Sequence, residues 1–456
     1  MSENVNVTPT ESPELKRVLK LPTLVCQGLA YLCPACVLIY YGIINDITNG
    51  HFPLALVVAG LSMVLTALSY AKMCRRYPVA GSVYSYVSKS IGSKVGFVSG
   101  WTMMLDYFLL PMACYVSCGL YLNIMIPAVP VWIWIIISIV FCGVCNYVGI
   151  GVSSFVNNIN VVAPIIFLVI TLGFIISFVT GGGGEGTLLT MNAMYNPETF
   201  NANSLLTGAA IMAVCFVGFD SVTTYSEETI EPEKTMPKAV LIICIGAAIE
   251  FFITGYLMQI GWPWAEAAGQ LQSVDTAFAE YTVHIGIGWI NAIFVGINTL
   301  ACLGCCIAGQ GATSRILLGM GRDGFIPKQF FGYVHPRFQT PSRNVLLSAI
   351  ISFSALLFQG SLASAYALVS FGAITGFIFT NACVIFRYWV RDKERGGAAV
   401  FKYVILPVVA IAVCVFLWLS LSTTAKIVGF SWLALGIVFL AIKTKGFKEM
   451  PPELEL

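Results

Sequence analysis

The sequence predicts an all-α polytopic membrane protein with twelve transmembrane helices, and three observations carry that expectation. Hydrophobic residues make up 58% of the 456 and charged residues 10%, with a mean hydropathy of +0.85. A soluble domain is nearer half apolar and a quarter charged. Apolar runs of about 20 residues, each long enough to cross ~30 Å of hydrocarbon, recur along the whole chain. The basic residues then fall almost entirely on one side of those runs.

In chain order the runs are read at 21–47, 53–73, 95–123, 131–150, 155–179 and 204–226, then 237–261, 284–312, 344–360, 365–387, 402–420 and 427–443. The polar segment 1–20 has no small-residue cleavage site, so it reads as a cytoplasmic N-terminus and not as a secretory signal. With that end inside, inner ends and loops hold Lys16, Arg17 and Lys20, then Lys72, Arg75, Arg76, Lys89 and Lys94. They also hold Lys234 and Lys238, the group from Arg315 to Arg343, the group from Arg387 to Lys402, and Lys443, Lys445 and Lys448. Of the 24 lysines and arginines, Lys426 alone lies outside. That asymmetry satisfies the positive-inside rule and puts both termini, including the tail 445–456, in the cytoplasm. The net charge of +2 favours no charged partner.

Several motifs carry no chemistry. GGGGEG at 181–186 formally matches a dinucleotide fingerprint but follows no strand, and it reads as a flexible extracellular connector. CxxC spacings at Cys33/Cys36, Cys142/Cys145 and Cys302/Cys305 all fall within apolar spans. His51, His284 and His335 lie away from them in sequence. Packable helix-face thiols explain the pattern better than metal or redox chemistry. There is no Walker A loop, no HExxH and no catalytic constellation. The reading calls for no enzyme activity, cofactor, metal or nucleic acid.

The residues that suit a bilayer least are the informative ones. The first span contains GLAYLCPAC (28–36), with Gly28 and Pro34 midway; the sixth contains VGFDSVTT (217–224). Gly and Pro release backbone groups, which is tolerated where they line a cavity. Interrupted segments at matching places in two halves point to a transporter's binding site. Gly100-Trp101, Ala113-Cys114 and Cys118 also recur as Gly288-Trp289, Ala301-Cys302 and Cys306 at one constant offset. Together these favour an inverted repeat of five plus five helices, 21–180 and 203–388, followed by two more at 402–444.

Four acids fall within spans: Asp46 near an outer end, then Asp106, Asp220 and Glu250. A charge near mid-bilayer costs roughly 2.5–3.5 kcal/mol on insertion scales. No Lys or Arg lies at a matching depth, and acids without basic partners want a cationic ligand or a proton. Two separated carboxylates joined by an aromatic tunnel would suit a short diamine, with Tyr31, Tyr107, Phe216 and Phe219 offering ring faces to its ammoniums. An amino-acid zwitterion also needs a carboxylate receptor, which broken-helix N-termini could provide. Plainer roles stand beside these. Asp220 could be bonded by nearby Ser and Thr, Asp106 by Tyr107, and Glu250 could be protonated against a neighbouring helix. Tyr225 reads as an interface anchor. Glu227 and Glu228 read as inner-gate or packing acids that pair with basic loop residues.

RRYPVAGSVYSYVSKSIG (75–92), GFDSVTTYSEET (218–229) with MPKAV (236–240), and SRILLGMGRDGFIPKQF (314–330) resemble the signatures of the amino acid–polyamine–organocation transporters. GLAYLCP (28–34), GWTMMLDYFLLPM (100–112) and FGYVHPRFQTP (331–341) are most similar to bacterial putrescine importers within it. The resemblance runs over nearly the whole chain. It implies a leucine-transporter-type fold, in which broken first and sixth helices cross near the membrane centre and the third and eighth wall the site. The first break then holds Tyr31, Cys33, Pro34 and Ala35. Asp220, after Gly218 and Phe219, matches the substrate-binding acid, and Asp106, Tyr107 and Pro111 match the zone reading the far end of the substrate. Two positions depart from the family. Val214 replaces a gating aromatic, and the fifth-helix lysine that couples protons in some relatives is absent from SSFVNNINVVAP (153–164).

The function expected is uptake of a polyamine, putrescine first, across a bacterial cytoplasmic (inner) membrane by alternating access. Protons or the membrane potential would drive it, the latter favouring entry by ~2.3 kcal/mol per charge per 100 mV. Glu250 is a coupling candidate. The alternative is an amino acid permease or amino acid/amine exchanger of the same superfamily.

Overall fold

A computed structural model of the chain describes residues 17, 19–79, 82–148, 153–322, 324, 326–338 and 340–446. The N-terminal segment before Arg17, the end of the tail, and the side chains of Glu227 and Glu228 lie outside the described residues. So do the side chains of 153–160, where the coupling lysine of some relatives would sit. Among the described residues the regular elements are helices, apart from one isolated bridge between Leu19 and Thr229.

Eleven helical segments are long and apolar enough to cross a membrane. They are α1 (Leu21–Thr48), α2 (Phe52–Arg76), α3 (Ser93–Met125), α4 (Val131–Val148), α5 (Val161–Thr180), α6 (Ala202–Ser226), α7 (Pro232–Gly261) and α8 (Gly288–Gly321), followed by α10 (Ser364–Arg391), α11 (Gly397–Leu419) and α12 (Thr423–Lys443). The expected ninth span is the exception. α9 (Ser342–Leu357) has 11 residues of α-helix and then tightens into five of 3-10 helix. At 1.5 and 2.0 Å per residue it reaches about 27 Å, just short of the hydrocarbon thickness. The eighth span, read as 284–312, begins at Gly288 and runs on to Gly321. Gly286 at φ +80° ends the separate helix Ala277–His284 and causes that shift.

Burial orders the helices. Of the apolar window of α6, 89% is buried, against 22% for α4, α11 and α12, so α6 is central and the others peripheral. α3 packs along α8 and α10, and α2 along α7 and α6. Val140, Val144, Val162, Val169 and Ile442 are exposed on α4, α5 and α12, as lipid-facing positions require. Arg76 and Arg387 share Asp392 at 3.6 and 3.0 Å, fastening the end of α2 to that of α10.

The glycine run is a built turn and not a flexible connector. Gly182, Gly184 and Gly186 take φ of +92°, +55° and +65°, and the Glu185 N–H donates to the Ile260 carbonyl at 2.9 Å. A Cβ on Gly184 would collide with that carbonyl. The turn therefore clamps the end of α5 to the end of α7.

Candidate functional site

Pro34 determines the first break. It cannot donate a backbone hydrogen bond and its ring clashes with the preceding turn, so the helix begun at Leu21 stops at Leu32. Cys33 turns at φ 56°, Pro34–Ile39 is 3-10 helix, and α-helix resumes at Tyr40. A non-glycine residue at such a φ costs roughly 1–3 kcal/mol, a strain concentrated at functional sites.

The second break lies in α6. Its α-helix runs Ala202–Met212, a 3-10 turn covers Ala213–Phe216, Val217 is extended, and Gly218 takes φ +137°. A Cβ on Gly218 would sit 3.0 Å from the Leu32 nitrogen and 3.0 Å from the Tyr31 ring. The two breaks touch, and glycine is what lets them. Carbonyls freed by the break are taken by the following hydroxyls. Ser221 donates to Gly218 at 2.8 Å, Thr223 to Asp220 at 2.6 Å and Thr224 to Ser221 at 2.7 Å. The hydroxyls of Ser221, Thr223 and Thr224 are therefore engaged with backbone carbonyls, not with the Asp220 carboxylate.

That carboxylate is fully buried. It accepts the Gly218 N–H at 3.1 Å and the Tyr107 hydroxyl at 3.4 Å. Asp106 precedes Tyr107 on α3, and successive residues on a helix point about 100° apart. Tyr107 thus serves Asp220, while both oxygens of the buried Asp106 lack a hydrogen-bond partner among the described residues. The Tyr31 hydroxyl is likewise unpartnered. The two carboxylates lie within electrostatic reach of each other and of Tyr31 and Tyr107. Behind Asp106, Gly372 of α10 allows close approach: a Cβ there would come 2.7 Å from the Asp106 nitrogen.

Two cavities flank Tyr31. The larger, about 30 Å³ open to the centre of a water molecule, is walled by the first break, α3, the first half of α6, α8 and Tyr366 of α10. Among its lining residues are six thiols: Cys33, Cys36, Cys114, Cys215, Cys302 and Cys305. All fifteen cysteines are free, and no described group of His, Cys, Asp or Glu could hold a metal. The smaller cavity, about 10 Å³, lies on the other side of Tyr31 and includes Gln27, Ser221, Thr224 and Tyr225. Tyr225, read as an interface anchor, lines this cavity, and the Arg315 guanidinium sits 5.6 Å from the centre of its ring.

Not every sequence-selected residue meets this space. Tyr31, Cys33 and Val214 line the larger cavity; Asp106, Asp220 and Tyr107 lie outside both linings. Pro34, Ala35, Gly218 and Pro111 shape the backbone around it. Phe216 packs edge-on against Phe251 of α7. Phe219 packs on Phe377 and Tyr70. Both rings are committed to neighbouring helices and not to the cavity. Glu250 lies outside both cavities and accepts the Thr254 hydroxyl at 3.2 Å. Sequence reasoning missed Tyr40, Asn298 and Tyr366. For Asn298 a signal existed: with Ala301, Cys302 and Cys305 it forms one small-residue face at helical spacing.

The family profile described as amino acid permease matches residues 28–441. The chain belongs to the amino acid permease family. This is a transporter family and not an enzyme family, and its multi-pass character agrees with the eleven long helices. The permease is 32% identical to the low-affinity putrescine importer PlaP of Escherichia coli (strain K12), over 99% of each chain. It is 26% identical to the branched-chain amino acid permease BcaP of Bacillus subtilis (strain 168), over 93% of this chain and 92% of that one. It is also 26% identical to the mitochondrial cationic amino acid transporter 3 of Arabidopsis thaliana, over 84% of this chain and 64% of the relative.

Proposed function

We propose that this permease imports short polyamines, putrescine first, across a bacterial inner membrane by alternating access. The observation that carries the reading is the pair of fully buried carboxylates, Asp220 at the contact between two helix breaks and Asp106 on α3, whose Tyr107 reaches Asp220. Among the described residues the Asp106 carboxylate has no hydrogen-bond partner, and no basic side chain lines either cavity. Buried acids so placed favour a cation. The 32% identity to a putrescine importer over the full length supports the same substrate class.

In this reading an ammonium enters through the larger cavity and settles between Tyr31, Asp220 and Asp106. Tyr107 keeps Asp220 oriented. The site opens to one side and then the other by hinging at Cys33–Pro34 and Val217–Gly218. Twelve spans, α9 included, form a five-plus-five inverted repeat followed by α11 and α12, with both termini cytoplasmic. The packing of α2 on α7 and of α3 on α8 supports the repeat, because these are the pairs it would relate. Protons or the membrane potential supply the driving force.

Uptake of an amino acid is the second reading, favoured by relatives named as branched-chain and cationic amino acid transporters. Counterflow into proteoliposomes with a panel of diamines, monoamines and amino acids separates the two. Exchange of putrescine but not leucine or lysine supports the first; the reverse pattern replaces it.

A further inference from the structure

The larger cavity and the acid pair are chemically distinct, and the division suggests how the far end of a substrate is read. Both acids lie outside the larger cavity and within electrostatic reach of Tyr31, whereas none of the residues lining that cavity is charged. Its polar side chains are the thiols, the hydroxyls of Tyr31, Tyr40 and Tyr366, and the amide of Asn298, the last three contributed by α1, α10 and α8. Asn298 is 4% exposed, and its Nδ2 donates to the Ser117 hydroxyl of α3 at 3.4 Å. That bond fixes the amide and leaves the carbonyl oxygen, an acceptor with two lone pairs, holding the Cys302 thiol at 3.8 Å, a weak donor. The rings of Tyr40 and Tyr366 lie 4.8 Å apart, tilted at 46°, on the same cavity.

We propose that Asn298, with the ring faces of Tyr40 and Tyr366, forms an uncharged subsite for the second ammonium of a short diamine. This rests on the amine-importer reading above and deepens it. One end of the substrate is held by full charges beside Tyr31. The other is held by a carbonyl dipole and two aromatic quadrupoles, which attract a cation without requiring a buried counter-charge. The methylene chain crosses the soft thiol wall between them. Substrate length is then set by the span from Asp220 to Asn298, not from Asp220 to Asp106.

The test is competition binding of putrescine and butylamine, a monoamine of equal length, to purified full-length protein. Loss of a hydrogen bond to a charged group is worth about tenfold or more. Asn298→Leu should weaken putrescine by about that factor and leave butylamine within twofold. Asn298→Asp should widen the preference for putrescine, a change that a purely structural role for Asn298 would not produce. Tyr366→Phe should keep most of the discrimination and Tyr366→Leu should lose it. Equal weakening of both amines by Asn298→Leu, or no gain in the ratio with Asn298→Asp, overturns the subsite. Failure of the parent reading looks different: neither amine binds the wild type, or Asp220→Asn binds both as tightly as before.

Discussion

The Thr313 hydroxyl of α8 lies 3.2 Å from the Tyr107 carbonyl of α3 and 2.8 Å from the Gly309 carbonyl of its own helix. Pro111, one turn after Tyr107, has no N–H to give that carbonyl. The neighbouring helix offers a donor in its place, one hydroxyl hydrogen shared between the two carbonyls, at the level of the buried acids.

This relationship predicts a double-mutant cycle. Thr313→Val leaves a buried carbonyl unsatisfied and should cost about 1–3 kcal/mol. In a Pro111→Ala background, where the backbone donor is restored, the same substitution should cost markedly less. Thermal unfolding of the four proteins in one detergent measures it. Equal costs in both backgrounds would mean that Thr313 stabilises α8 alone.

Gly218 allows the two breaks to touch, so Gly218→Ala should be severe. It places a side chain at φ +137° and 3.0 Å from backbone and ring atoms of α1. Strain of this kind costs about 1–3 kcal/mol before any helix separates. Uptake should fall more than tenfold in protein that still runs as a single species on gel filtration. Retention of full uptake would show that the breaks need not meet.

The acid pair makes a sharp statement about Asp106. If both carboxylates hold the same ammonium, Asp106→Asn should weaken putrescine and butylamine by similar factors, and Asp220→Asn should abolish binding of both. Breaking a buried charge pair typically costs 3–5 kcal/mol, which sets the scale. A loss confined to putrescine would place Asp106 at the far ammonium, and the Asn298 subsite would then be wrong.

Much of this was legible in the sequence because it rests on backbone chemistry. Pro34, Gly218 and Pro111 announce where a helix must break or lose a bond, and the breaks lie where those residues put them. Asp106 and Asp220 stood out because a lone acid is costly in a bilayer. The directions of side chains were not legible. Phe216 and Phe219 lie beside the acid in sequence, yet helix packing turns one to Phe251 and the other to Phe377. Tyr366 lies far from the motifs and joins the site only through tertiary packing, whereas Asn298 shares a helix face with Cys302 and Cys305, a spacing that by itself reads as packing alone. The shortness of α9 was likewise hidden, because composition does not tell an α turn from a 3-10 turn.

Glu250 stands apart from both cavities, so a coupling role for it would be separable from recognition. Glu250→Gln should leave amine affinity within twofold but remove the response of uptake to an imposed pH gradient at clamped voltage. A variant that still accumulates substrate with the pH gradient would transfer the coupling role to the acid pair.

Orientation can be checked with an impermeant thiol reagent on variants lacking reactive native thiols. Thr187→Cys, in the turn after the glycine clamp, should label from outside intact cells. Ala398→Cys, in the first turn of α11, should label only after permeabilisation. Labelling in the opposite order would invert the topology.

Tyr31 contributes to the lining of both cavities, and the two do not merge. A membrane that stores energy as a voltage cannot tolerate a continuous file of water through each of its carriers, because protons would run along it. If the proposed substrate path runs through these cavities, the phenol ring is electrical insulation as much as a wall. A smaller side chain at residue 31 would remove a ring that stands between the two cavities, and a water file through them would drain the voltage on which the whole cell draws.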